Sequence, residues 1–169
     1  MLGREGQLIN SNIFSAQNRQ RYYWTNIPIK ELPQPTECVL KDILVEDDNN
    51  NSRLPISKQH YNAWLNNYNW KADNVNDKSK PLLASYYKQP PHCPYIQYRD
   101  VQENEDELKE SIYRRLSPVE CERLQTLPDN YTLVMNEKGK ENSYTQRYKM
   151  LGNGWTVAAI QHIFSSLVE

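Results

Sequence analysis

The stretch RRLSPVECERLQTLPDNYT, residues 114–132, contains the clearest secondary-structure signal of this chain. Ser117 stands three positions before Glu120, and this spacing is typical of a capping box at the start of a helix. Pro118 fits the first helical position, where its missing N–H has no intrahelical partner to lose. A second proline, two residues after Thr126, marks the end. The pattern predicts a helix from Pro118 to Thr126.

A second motif, RYKMLGNGWTV at residues 147–157, lies further along the chain. Its Gly-Asn-Gly, residues 152–154, predicts a turn before a final helix. The apolar residues of that helix recur at helical spacing: Ile160, Ile163, Phe164 and Leu167. This helix should pack one face against a larger body. We therefore expect exposed apolar surface within this chain around Ile160, Phe164 and Trp24.

Towards the N-terminus, the segment FSAQNRQRYYWTN at residues 14–26 places two arginines before a run of aromatics. The pattern predicts strand, polar loop, strand, with the aromatics fixing the loop to the sheet. Arg19 and Arg21 share a face because they are two residues apart, and their planar donors suit a phosphate or a carbonyl oxygen. Gln17 adds a donor and an acceptor. Taken alone, such a pair more often flanks a buried strand at the surface.

The middle of the chain is rich in Asn, Pro and Tyr and has weaker patterns. Thr36 can cap a short helix that contains Val39, Leu40, Ile43 and Leu44. A second helix is predicted around SKQHYNAWLNNY, residues 57–68, and an extended, proline-broken piece follows in residues 86–100.

Composition bounds the function. The chain has 169 residues, a net charge of -1, 38% hydrophobic residues and a mean hydropathy of -0.88, which makes a large core doubtful. Without a basic excess, any contact with nucleic acid must be local. The three cysteines, Cys38, Cys93 and Cys121, are widely spaced, so neither a metal site nor a disulfide framework is predicted. No signal peptide or membrane-length apolar run is present, and we expect a cytoplasmic protein.

The three motifs occur in the order found in DNA cytosine-5 methyltransferases. The Gln17, Arg19 and Arg21 run resembles motif VIII of that family, residues 114–132 resemble motif IX, and residues 147–157 resemble motif X. An unrelated α+β interaction domain would need all three matches by chance. The resemblance implies the α/β fold of a class I (Rossmann-like) methyltransferase, C-terminal portion. Residues 1–29 are expected to form the end of the catalytic domain, and residues 30–112 a small irregular target recognition region. Residues 113–169 are expected to form two helices that return to the catalytic domain.

The resemblance also implies roles for the residues at the matching positions. Arg21 would donate to O2 of a flipped cytosine, with Arg19 and Gln17 orienting it. Asn153 and the Gly154 backbone would contact the methionine carboxylate of S-adenosylmethionine at a helix N-terminus, and Trp155 would pack on this cofactor. Cys121 fits a buried small apolar position.

The recognition region would supply the contacts to double-stranded DNA. Lys80, Lys88 and Arg99 are the foremost candidates. Further base and phosphate contacts are available from His60, Lys71, Lys78, Tyr86 and Tyr87. The acidic run ENEDELKE should face away from DNA, because phosphates repel it.

The family's FxGxGG, Pro-Cys-Gln and Glu-Asn-Val motifs do not occur in this sequence. Alone, the chain is therefore not expected to methylate DNA. It is either one polypeptide of a split methyltransferase, partnered by an N-terminal catalytic half, or a truncated product. The similarity favours a bacterial or phage enzyme of a restriction-modification system. The alternative is a non-catalytic DNA-binding or regulatory subunit derived from such an enzyme.

Overall fold

A computed structural model of the chain describes residues 3, 5–45, 54–97 and 113–167. The predicted contact Arg99 and the acidic run at residues 103–110 lie outside the described residues. In the described part, helices and strands are mixed, and the sheets are two antiparallel pairs. The strands are β1 Gln7–Asn10, β2 Gln20–Tyr23, β3 Tyr95–Gln97 and β4 Tyr113–Arg115. The α-helices are α1 Lys58–Tyr68, α2 Pro118–Leu124, α3 Tyr144–Asn153 and α4 Val157–Phe164.

The capping box predicted for α2 is confirmed. Ser117 Oγ accepts from the amide of Glu120 at 3.2 Å, and the Glu120 carboxylate accepts from the amide of Ser117 at 2.6 Å. The strand, loop, strand prediction is also confirmed, since β1 pairs with β2 and places Ile9 opposite Arg21. Helix α1 forms where the sequence predicts it, and Ser57 caps its first turn.

The helix predicted after Thr36 is wrong in type and length. Only a short 3-10 helix forms, Leu40–Ile43. The amides of Leu40 and Lys41 donate to the carbonyls of Asp77 and Val75 at 2.9 Å and 2.7 Å, so a neighbouring segment uses the donors at its start. The Thr36 hydroxyl accepts from the amide of Cys38 instead of capping a helix.

The glycine turn predicted at residues 152–154 is correct only for Gly154, where the chain leaves α3 before the predicted final helix α4. Gly152 and Asn153 belong to α3, and Gly152 is buried inside it. A Cβ atom at Gly152 would lie 2.2 Å from backbone atoms of Leu83 and Ala84. Glycine is needed here because a neighbouring backbone approaches the helix closely, and not because the chain turns.

The core is larger than the hydropathy suggests, because tyrosine and tryptophan fill much of it. Trp64 lies 4.8 Å from Tyr95, and Tyr86 lies 5.1 Å from Tyr148, between ring centroids. The hydroxyls of the buried tyrosines are hydrogen bonded: Tyr86 donates to Pro94 O, Tyr95 donates to Pro90 O at 2.9 Å, and Tyr148 donates to Leu116 O at 2.7 Å. A hydropathy index scores tyrosine as polar, and this chain has 12 of them. The expectation of a small core is therefore wrong.

One hydrophobic cluster joins residues from all three predicted parts, among them Ala16, Tyr95 and Tyr148. The predicted division of the chain stays a prediction. The expected exposure of apolar surface is confirmed for Trp24 and Phe164, which are 55% and 51% exposed, whereas Ile160 is half-buried. None of the helices in the described part of the chain is both long and apolar enough to cross a membrane.

Candidate functional site

The loop between β1 and β2 is anchored by Gln17, whose side chain is fully buried. Its amide nitrogen donates to Leu124 O at 2.7 Å and to Gln125 Oε1 at 3.1 Å, and its oxygen accepts from the amide of Leu82 at 3.3 Å. The backbone on either side of Gln17 pairs with Ser79: Asn18 N donates to Ser79 O and Ser79 N donates to Ala16 O. The loop is thereby fixed at both its side chain and its backbone.

Arg19 is the last residue of this loop and is 3% exposed. Its Nη2 donates to Gly152 O at 3.2 Å, at the carbonyl end of α3, where the helix dipole favours a positive charge. Nε and Nη1 have no partner among the described residues. Burial, and then the charge of Arg21, lower the pKa of Arg19 to about 10. No carboxylate in the described part of the chain pairs with this guanidinium.

Arg21 lies on β2, partly exposed, and its Nη1 donates to Gln20 O at 2.7 Å. The alternation of the strand places it on the face that carries Arg19 and Tyr23. The predicted role of the following aromatics is wrong, since Tyr22 and Trp24 are 57% and 55% exposed and contact each other. The loop is fixed by Gln17, and the accessible donors of Arg21 remain available to a ligand.

The end of α2 caps the start of α4. Gln125 O accepts from Val157 N at 2.9 Å, and the Thr126 hydroxyl accepts from Ala158 N at 2.8 Å. The first amides of α4 are therefore occupied, and the expected anion site at a helix N-terminus does not fit. Gly154 N likewise donates to Met150 O at 2.8 Å, so the Gly154 amide is not available to a carboxylate.

Asn153 and Trp155, in contrast, are accessible. Asn153 is the last residue of α3 and is exposed, and its side chain makes no hydrogen bond within the described part of the chain. Trp155 is 62% exposed and lines an open cavity of about 340 Å³. The other large apolar side chains of its wall are Leu127, Tyr131, Val134, Met150 and Leu151.

Two buried ion pairs hold α2 in place, and neither is predicted from the sequence. Arg114 forms a bidentate pair with Glu120, at 2.8 Å for both bonds. Arg147 of α3 donates to Glu122 at 2.8 Å, with both side chains buried. Charged residues in a short polar helix usually form a solvated face. No local pattern indicates that Glu120 and Glu122 are buried, because their partners Arg114 and Arg147 come from other elements of the fold.

The predicted DNA contacts fall into different environments. The prediction that Lys78 contacts DNA is wrong. Its ammonium donates to three carbonyls, Ser15 O, Thr36 O and Cys38 O, and burial lowers its pKa. The same prediction for Tyr86 is wrong because Tyr86 is fully buried. Lys80 pairs with Asp73 at 3.0 Å, which leaves it a poor phosphate ligand.

Of the predicted lysine contacts, Lys71 and Lys88 are exposed. The ammonium of Lys88 lies 5.7 Å from the ring centroid of Tyr87. Lys149 of α3 lies 5.0 Å from the same ring. The fold thus builds a small basic surface from Lys88, Tyr87 and Lys149, and sequence reasoning missed Lys149 because it lies far away in the chain.

The cysteines are free thiols, and Cys121 is fully buried with its pKa raised by burial. Among the described residues, no group of three or more His, Cys, Asp or Glu side chains could hold a metal ion.

Solved structures resemble this fold. One is the methyltransferase EhMeth of Entamoeba histolytica, with a TM-score of 0.62 and 18% identity over 98% of this chain and 54% of that chain. Another is the S. pombe Dnmt2 methyltransferase, with a TM-score of 0.65 and 16% identity over 96% of this chain and 56% of that chain. At these identities the likeness shows the fold alone. The chain spans about half the length of both, and no curated protein matches it.

The fold therefore resembles about half of each of these two methyltransferase structures. The model of the family of C-5 cytosine-specific DNA methylases matches residues 7–169. The chain belongs to this family.

Proposed function

We propose that this chain forms the C-terminal part of a class I (Rossmann-like) DNA cytosine-5 methyltransferase and provides its base-facing loop, its recognition region and one wall of its cofactor site. The observation that carries the proposal is the junction of the Gln17 loop with the ends of α2 and α3. The buried side chain of Gln17 bonds to Leu124 and Gln125, and Arg19 bonds to Gly152. Residues expected to face the base and residues expected to face the cofactor thereby belong to one rigid unit.

In the proposed reaction Arg21 donates to O2 of the flipped cytosine. Negative charge develops on that oxygen when a nucleophile attacks C6 of the ring, and a fixed guanidinium stabilises it more in the transition state than in the ground state. The buried neighbour, Arg19, supports Arg21 from the same strand face and keeps the site positive. Within the described residues the one hydrogen bond of the Arg21 side chain is to the carbonyl of its neighbour Gln20, so its remaining donors can reach a base.

S-adenosylmethionine supplies the methyl group in this family, and the side chains around Trp155 fit part of it. The indole ring and the apolar wall of the adjoining cavity suit the adenosyl portion. Asn153 would donate to the methionine carboxylate in place of the occupied Gly154 amide. The free amide hydrogens of Asn153 thus replace the helix N-terminus expected from the sequence.

DNA is proposed to lie along the surface that carries Lys88 and Lys149. Both ammonium groups flank Tyr87, and no carboxylate pairs with either of them in the described part of the chain. Because the chain as a whole is not basic, contacts with phosphates must be concentrated at such a surface.

An N-terminal catalytic half is proposed to complete the enzyme, either in trans or from a longer precursor. Three observations support it: Arg19 has no acidic partner among the described residues, Trp24, Phe164 and Trp155 are exposed, and the chain spans about half the length of its structural relatives. The same surfaces would also serve a non-catalytic subunit that regulates a complete methyltransferase, so the experiment has to separate the two.

The test combines this chain with a separate polypeptide that supplies the Pro-Cys-Gln and Glu-Asn-Val motifs, such as one encoded by an adjacent reading frame. Transfer of a labelled methyl group to cytosine is measured for each polypeptide and for the mixture, and bisulfite sequencing locates the target. The proposal expects transfer from the mixture alone. Sequence-specific DNA binding by this chain, with no transfer from the mixture and no complex between the two, would support the non-catalytic subunit instead.

A further inference from the structure

A row of buried polar groups connects the start of the chain with α4. Ser11 Oγ lies 2.7 Å from Thr156 Oγ1, which lies 3.0 Å from Gln125 Oε1. Gln17 Nε2 reaches the same Gln125 oxygen at 3.1 Å. All four side chains are at most 2% exposed. Water does not compete with these bonds, so each of them fixes the position of its partners.

The direction of every bond in this row follows from donor counting. Gln125 Nε2 donates to Leu151 O at 2.7 Å, so its oxygen points the other way and accepts from both Gln17 and Thr156. The single hydroxyl hydrogen of Thr156 goes to Gln125, and Ser11 must therefore donate to Thr156. If the Gln125 amide were flipped, its nitrogen would face the donor nitrogen of Gln17, and its oxygen would face Leu151 O. Neither of these bonds could then form. The network has one arrangement.

We propose that Gln125 is a positioning residue that holds the loop between β1 and β2, which leads into Arg21, and the segment Asn153–Trp155 in a fixed relative position. Its side chain touches the first segment through Gln17 and the second through Leu151 and Thr156. Methyl transfer requires base and cofactor to meet within a fraction of an ångström, so a shift between these segments would slow the reaction. This role rests on the proposed function, because only that function gives the two segments a shared task.

A residue that only fills the core would not need this bonding. A buried leucine could occupy a similar volume without the cost of desolvating a carboxamide. The carboxamide instead bonds to Gln17, Leu151 and Thr156, which are 108, 26 and 31 positions away. The arrangement specifies where the segments lie and not merely that they pack.

The test measures amide hydrogen exchange in the free chain for Thr156→Val, which keeps the side-chain shape and removes the hydroxyl. Loss of one bond to Gln125 should loosen Gln17 at the far end of the network. We expect the Leu82 amide, which donates to Gln17 Oε1, and the Asn18 amide to exchange about tenfold faster, as for the loss of roughly one hydrogen bond. The Arg115 amide, which donates to Leu54 O outside the network, should keep its rate relative to global unfolding.

Thr156→Ser restores the hydroxyl and should restore the wild-type rates. Thr145→Val, at a half-buried threonine of α3 with no side-chain bond among the described residues, is the matched control. Ser11→Ala provides a milder change should Thr156→Val fail to fold, and should accelerate the same amides by a smaller factor. Wild-type exchange at Leu82 and Asn18, or an equal acceleration of all amides, would overturn the proposal. Neither DNA nor cofactor is present, so this outcome leaves the proposed function untouched.

Discussion

Arg19 donates to the carbonyl of Gly152 at 3.2 Å, which ties the loop before β2 to the last turn of α3. Arg19 is expected to orient Arg21 towards the base, and Gly152 directly precedes Asn153. The bond therefore links the two parts of the proposed site. It also leaves a buried guanidinium with two nitrogens unbonded and no acid beside it among the described residues. An unpaired buried charge costs stability, so this site is expected to be costly until an acceptor from a further segment or a ligand pairs with the guanidinium.

Arg19→Met therefore tests the cost of that charge. Methionine keeps much of the volume and removes the charge, so the free chain should gain about 1 kcal/mol in its free energy of unfolding. Urea denaturation followed by tryptophan fluorescence measures the change. Arg21→Met, at the neighbouring and more exposed position, is the control and should shift stability by less than about 0.5 kcal/mol. A loss of stability in Arg19→Met would show that the guanidinium is well satisfied.

Gly152→Ala should be among the most destabilising single changes in the chain. The new Cβ atom would lie 2.2 Å from backbone atoms of Leu83 and Ala84, and neither backbone can move away without disturbing the core. The expected loss is about 3 kcal/mol in the free energy of unfolding. The adjacent change Asn153→Ala affects an exposed side chain and should alter stability by less than about 0.5 kcal/mol. Equal stabilities for the two variants would contradict the close approach of α3 to residues 83–84.

Buried and partly exposed ion pairs should differ strongly in their contribution to the free energy of unfolding. Glu120→Ala removes the carboxylate that binds Arg114 at a pair whose side chains are only 5% and 1% exposed, and it should cost about 3–5 kcal/mol. Asp129→Ala removes the partner of Arg123 at a pair whose side chains are 32% and 48% exposed, and it should cost at most about 1 kcal/mol. Thermal or urea unfolding of both variants measures this. Similar losses would mean that the Glu120 pair is open to water.

Stability should fall in alkali because of the buried tyrosines. Burial raises the pKa of Tyr86, Tyr95 and Tyr148 above the ordinary value near 10. Above that pH the unfolded chain loses these protons while the folded chain keeps them, so the folded state binds more protons and the free energy of unfolding decreases as pH rises. Absorbance of phenolate should show these three groups titrating only as the chain unfolds. Their smooth titration in a folded chain near pH 10 would contradict the burial.

The features that sequence predicts correctly are those whose contacts are local. The bonds between Ser117 and Glu120 lie within one helical turn, so residue order is sufficient to specify them. The bond from Gln17 to Gln125 spans 108 positions, and nothing in either neighbourhood indicates the other. For the same reason Lys78 was expected to be an exposed cation, because its three carbonyl partners come from segments brought together only by folding.

Glycine shows the same limit in another way. The Gly-Asn-Gly run indicates a turn by composition, but Gly152 is helical and serves a close approach from residues 83–84. The family motifs were nevertheless sufficient to predict the family, since the match covers residues 7–169. The motifs do not show which donors are already occupied, and for that reason the expected use of the Gly154 amide fails.

The most direct measurement is single-turnover methyl transfer by the complex of this chain with the catalytic half, together with its DNA affinity. Arg21→Ala should lower the rate by about a hundredfold or more with little change in affinity, because its donor acts on the charge that develops at cytosine O2. Lys88→Ala, a proposed phosphate contact, should instead weaken binding and reduce its salt dependence while leaving the rate on saturating DNA near that of the wild type. Wild-type transfer by Arg21→Ala would contradict the assignment of this loop to the flipped base.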